Sequence, residues 1–161
     1  MALKSYNLDI VAQKLVLDYR DQEVLNESHK MRQTAAYGLE RFWGEHLRLL
    51  GKEKTRDAGE YWKATWGALV KIMKKGGVTV PNDSVNLEET DQILAMAKKL
   101  WNDEEFPRDD RQFTLAVLIQ LCDSLVWWTQ RYKKKSERDE KESEGDKKES
   151  EGAREVQDHE L

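Results

Sequence analysis

The chain has 161 residues, 36% charged and 39% hydrophobic, with a formal net charge of −4; this composition fits one domain with a small core and a wet surface. Cys122 is the one cysteine, which excludes an internal disulfide. Residues 136–161 hold five basic and eleven acidic side chains and leave 22 basic and 20 acidic in residues 1–135, so a mildly basic body precedes an acidic tail.

Tyr6 to about Asn26 is predicted as a first helix, with Leu8, Val11, Ala12, Leu15 and Tyr19 on one stripe. Ile10 and Leu17 lie seven apart on its far side, under a neighbouring helix or as a patch for a partner. A second helix runs from a Ser28 cap to Leu50, with Gly51 ending it in the left-handed conformation. Its inner stripe is Met31, Ala35, Leu39, Phe42, His46 and Leu49, widened by Trp43, Leu47 and Leu50. Thr55 caps a third helix that ends before Gly76-Gly77 and turns Ala58, Trp62, Trp66, Leu69 and Met73 inward. Gly67 in mid-helix either permits close approach of another backbone or is tolerated at roughly 1 kcal/mol relative to Ala. Residues 78–81 read as extended, and Asn86 with Glu89 forms a capping-box pattern for a fourth helix to about Asn102.

Pro107 opens the fifth helix, which runs to about Lys135 and contains the most apolar stretch of the chain, FTLAVLIQLCDSLVWW from Phe113 to Trp128. Leu115, Leu118, Ile119, Cys122, Leu125 and Val126 share one face, with Val117, Trp127 and Trp128 on the other. A helix apolar nearly all round is central in a bundle or spans a membrane. A span needs roughly 20 apolar residues, and Gln120 and Asp123 interrupt this run, so a core helix is expected. After Lys135 the only aliphatics beyond alanine are Val156 and Leu161, a composition expected to stay disordered. The expected architecture is therefore all-α: a five-helix bundle over 1–135 with a disordered, charged C-terminal tail over 136–161.

No phosphate-binding glycine loop or nucleotide fingerprint occurs. His29, His46 and His159 have no partners at metal-ligand spacing, and the carboxylate pairs Glu88-Glu89 and Asp109-Asp110 sit at helix N-termini, where the dipole accounts for them. No catalytic residue, metal or cofactor is expected. MALKSYNLDI lacks the apolar centre of a signal peptide, so the cytoplasm is the expected compartment.

The chemistry that remains is cationic. Lys30, Tyr37, Arg41 and Arg48 fall on one line of the second helix, and Lys63, Gly67, Lys71 and Lys74 on the outer side of the third. Lys52, Lys54 and Arg56 add charge at the turn between them, and Lys75 follows. Two antiparallel helices can present these as one ridge for a phosphate backbone, with Tyr37 stacking on a base, or leave them as solvated surface. Arg131 with Lys133, Lys134 and Lys135 also fits the negative end of the last helix.

A helical body of about 135 residues, Lys/Arg-lined second and third helices and the LAVLIQLCDSLVWW helix together resemble the small subunit of a CRISPR effector complex, closest to that of a type I-D-like Cascade. The resemblance implies a non-catalytic bundle stacked on copies of itself and on other effector subunits. There its basic faces would contact guide-RNA complex and target-DNA backbone without reading sequence. The residues matched are Lys30, Arg41, Arg48, Lys63, Lys71 and Lys74. The acidic tail departs from the pattern. The alternative is a helical adaptor with no nucleic-acid binding, using Ile10, Leu17, Trp127 and Trp128 as its partner contacts.

Overall fold

A computed structural model describes residues 7–135. Among them it is all-helical, with no strand and six helices rather than the five expected. They are α1 (Leu8–Tyr19), α2 (Glu27–Ala35), α3 (Leu39–Leu50), α4 (Arg56–Lys75), α5 (Thr90–Trp101) and α6 (Arg108–Tyr132). The sixth arises because the expected second helix is broken. Gly38 adopts φ 114, a conformation open to glycine, and the chain turns there between α2 and α3. Met31, Ala35, Leu39 and Phe42 are all buried, so the apolar stripe continues across the break. The charged tail assigned to 136–161 lies outside the described residues.

α6 lies along α1 and α2, while α4 lies along α3 and also meets α1, α2 and α6. α3 and α4 run antiparallel: Phe42 meets Trp62 at 4.9 Å and Trp66 at 6.2 Å between ring centroids, while Leu50 sits against Gly59. A Cβ on Gly59 would come within 2.8 Å of the Leu50 backbone nitrogen, so this glycine sets how closely the two helices cross. Nothing lies within 4 Å of the same position on Gly67. The close approach considered for Gly67 belongs to Gly59.

The buried side of α6 is Thr114, Val117, Leu118, Leu121, Cys122, Leu125 and Thr129. It is rotated from the expected face: Val117 is fully buried, whereas Leu115, Ile119 and Val126 are only partly so. The cause is tertiary, because α1 and α2 flank α6 and set which arc is enclosed. Burial pushes the Cys122 thiol well above its ordinary range, as for an inert core cysteine.

Several expected caps act differently. Ser28 lies inside α2, buried, with its Oγ 2.7 Å from both Tyr61 OH and Thr129 Oγ1. This triangle ties α2, α4 and α6 together in the core, where an unpaired hydroxyl is costly. Thr55 does precede α4, but its hydroxyl donates back to the Leu49 carbonyl at 2.6 Å. Gly51 has φ −70 and needs no left-handed conformation. α5 starts at Thr90 rather than from an Asn86 cap; the Asn86 N–H donates instead to Gln92 Oε1 at 2.9 Å. Pro107 stands immediately before α6 instead of at its first helical position.

Candidate nucleic-acid interface

The cationic residues expected to form one ridge fall into separate groups. Lys30 is on α2, beyond the Gly38 turn from Arg41 and Arg48 on α3. This first group is largely neutralised. Lys30 Nζ pairs with Glu27 at 3.1 Å, Arg48 Nε donates to Glu45 Oε1 at 2.9 Å, and the Arg41 guanidinium lies 5.5 Å from the centre of the Tyr37 ring. Tyr37 is exposed and already holds a cation, so an incoming base would compete with Arg41 for it.

The second group belongs to α4 and the turn before it. Lys52 and Lys54 are exposed on that turn. Arg56 and Lys63 line a cleft of about 370 Å³ between α3, α4 and the segment 82–88. Trp43 and His46 form its α3 wall. At 100° per residue, Arg41 and Arg48 stand about 150° round α3 from His46, on the other side of that helix. Lys71, Lys74 and Lys75 lie further along α4, beside a groove of about 820 Å³ shared with α1. Lys14 joins them there from α1, a residue the sequence reading passed over; its four-residue spacing from Asp18 marked it only as one half of an ion pair.

The two groups differ in how their charge is met. Ion pairs among the described residues engage Lys14, Lys30, Arg32, Arg48, Lys99, Arg111 and Lys134. None engages Lys52, Lys54, Arg56, Lys63, Lys71, Lys74 or Lys75. α4 therefore carries a run of cations outside any ion pair from Arg56 to Lys75, with Glu60, Asp83 and Glu88 lining the cleft beside Arg56 and Lys63. At 1.5 Å per residue it is about 28 Å long.

His46 borders the cleft but is buried, and its Nδ1 is held by the Trp43 carbonyl. Burial lowers its pKa below the usual 6.5, with the nearby Lys63 charge acting in the same direction. It is a neutral structural histidine. No cluster of metal-ligating side chains occurs among the described residues, and no described helix is long and apolar enough to cross a membrane.

The four expected partner contacts also divide. Ile10 and Leu17 are 65% and 47% exposed, with no described helix over them. Trp127 is half exposed, its ring under the Arg131 guanidinium at 3.4 Å. Trp128 is packed against the core and stacks on Tyr132, with centroids 5.3 Å apart. α5 adds an exposed pair, Leu94 and Trp101, again seven residues apart.

No family model, curated protein or solved structure matches this chain.

Proposed function

We propose that the protein is a non-catalytic helical subunit that holds a nucleic-acid backbone along α4, in the manner of the small subunit of a CRISPR-type ribonucleoprotein. The observation that carries the reading is the run of four lysines and one arginine on α4, from Arg56 to Lys75, none of them in an ion pair among the described residues. A backbone contact needs spaced positive charge and no base-reading device. A stretch of about 28 Å parallels roughly eight phosphates of one duplex strand. Each contact is weak alone, so binding is strong only where neighbouring subunits and copies of this chain place the strand.

A single-stranded oligonucleotide titrated into the isolated protein tests this. Affinity is expected to be weak and to fall steeply with salt, with a log–log slope near −3 for about four phosphates neutralised. Lys63→Glu/Lys71→Glu/Lys74→Glu should abolish binding and leave the helical signal unchanged. Equal binding by that variant would sink the proposal.

The adaptor reading is favoured by a different observation, the uncovered Ile10–Leu17 pair on α1 and the Leu94–Trp101 pair on α5. It predicts salt-insensitive association with a protein and no response to the charge reversals. The two readings are compatible within one assembly, because the apolar pairs and the α4 cations are different residues.

A further inference from the structure

The groove between α1 and α4 has an apolar floor and a basic rim. Leu15, Ala64, Ala68 and Ile72 supply the floor, and Gly67 leaves open space above it. Lys14, Lys71, Lys74 and Lys75 stand around it. The one carboxylate there, Asp18, is paired with Lys14 at 3.0 Å. The groove thus presents net positive charge beside an unfilled apolar surface, which suits an acidic segment with a few small aliphatics.

The chain leaves the described region against α1, on the side of that helix turned away from this groove. Tyr132, the last residue of α6, is bound to α1 twice: its hydroxyl meets Gln13 Nε2 at 2.7 Å, and its carbonyl accepts from Arg20 Nε at 2.6 Å. Lys134 then pairs with Asp21 at 2.5 Å. Round α1, the exposed Ile10 and Leu17 stand about 50° from the Gln13–Arg20 side, and Lys14 and the groove follow at about 100° and beyond. Residues 136–161 number 26, with eleven acidic against five basic side chains. Fully extended, 26 residues span at most about 86–94 Å, ample to pass round a helix about 10–12 Å across.

We propose that the acidic C-terminal segment, residues 136–161, passes over Ile10 and Leu17 and occupies the lysine-rimmed groove between α1 and α4 of the same chain. Val156 and Leu161 are its candidates for the apolar floor, and its carboxylates neutralise Lys71, Lys74 and Lys75. Tethering makes the encounter intramolecular, at an effective concentration in the millimolar range. The segment then acts as a built-in counter-ion that any other polyanion must displace. This rests on the groove and on where α6 ends against α1, and stands whether or not nucleic acid binds.

The test uses the full chain without nucleic acid. Cys122 is fully buried, so a nitroxide on Ser150→Cys is the sole label. At low salt the amide signals of Lys71, Lys74, Lys75 and Leu17 should lose intensity selectively. They should recover at about 1 M salt, where the Debye length is near 3 Å. Adding Lys71→Glu/Lys74→Glu/Lys75→Glu, all at exposed positions, should remove the selective loss while distant amide signals stay unmoved. Absent or uniform broadening overturns the proposal, as does broadening centred on Lys52, Lys54 and Arg56. A mixture of labelled chain with unlabelled, isotope-enriched chain separates the remaining case: broadening there assigns the groove to a second copy's tail and overturns the intramolecular form.

Discussion

The two sides of α4 are built from residue types that both carry polar atoms, and they treat those atoms in opposite ways. On the inner side every aromatic handle has a partner. Tyr61 OH meets Ser28, Trp62 Nε1 donates to Glu27 Oε2 at 2.9 Å, and Trp66 Nε1 donates to the Pro81 carbonyl at 3.1 Å. On the outer side Arg56, Lys63, Lys71 and Lys74 enter no ion pair among the described residues. Desolvation accounts for the first pattern, because an unpaired buried N–H or O–H costs about 1–3 kcal/mol. Water satisfies the outer cations, so nothing in folding requires partners for them. The inner side is where the fold is held, and the outer side is left to solvent.

Variants that separate the two sides rank by expected effect. Trp62→Ala removes a fully buried indole and should cost about 3–5 kcal/mol in urea unfolding; a loss below 1 kcal/mol would mean that the inner side is not the core described here. Ser28→Ala leaves the Tyr61 and Thr129 hydroxyls short of a partner and should cost about 1–3 kcal/mol. Gly67→Ala places a methyl in open space on the outer side and should stabilise the helix by about 1 kcal/mol. The gain should be complete at about 1 M salt and smaller at low salt, where the acidic segment proposed above occupies the groove; destabilisation at 1 M salt would contradict the open space beside Gly67. The same change at Gly59 would press on Leu50 and should act in the opposite direction.

The smallest effect concerns His46. Its folded pKa is held below 6.5 by burial, so the unfolded chain takes up a proton first as the pH falls. Its contribution to stability is complete above about pH 6.5 and is lost progressively below it. Thermal unfolding followed from neutral to mildly acidic pH should show this decline, and His46→Gln should flatten it. Identical slopes would place the pH response elsewhere in the molecule.

Much of the helical content was legible because apolar spacing is a local signal. α1, α4 and α6 were recovered with ends shifted by a few residues, and the inward side of α4 was read correctly at Ala58, Trp62, Trp66, Leu69 and Met73. The split into α2 and α3 was missed because Met31, Ala35, Leu39 and Phe42 keep a helical period across the turn. The signal that could have found it was Gly38 itself, placed where the period gave no reason for a glycine. Gly59 and Gly67 show the converse limit. They look alike in sequence, and only the passage of Leu50 over one of them distinguishes their roles. Of the candidate site, the members of the α4 stripe were visible as residues four and three apart. Their separation from Arg41 and Arg48 was not, because it depends on how α3 rolls against α4.

The sequence by itself determined an all-helical body and the inward stripe of its longest helices, because both follow from the 3.6-residue period acting within one segment. Tertiary structure alone decided that Ser28 joins Tyr61 and Thr129 instead of capping a helix, that Val117 lies in the core, and which cations are neutralised. Those outcomes rest on contacts between side chains far apart in sequence, 101 residues for Ser28 and Thr129, and no local period carries that information.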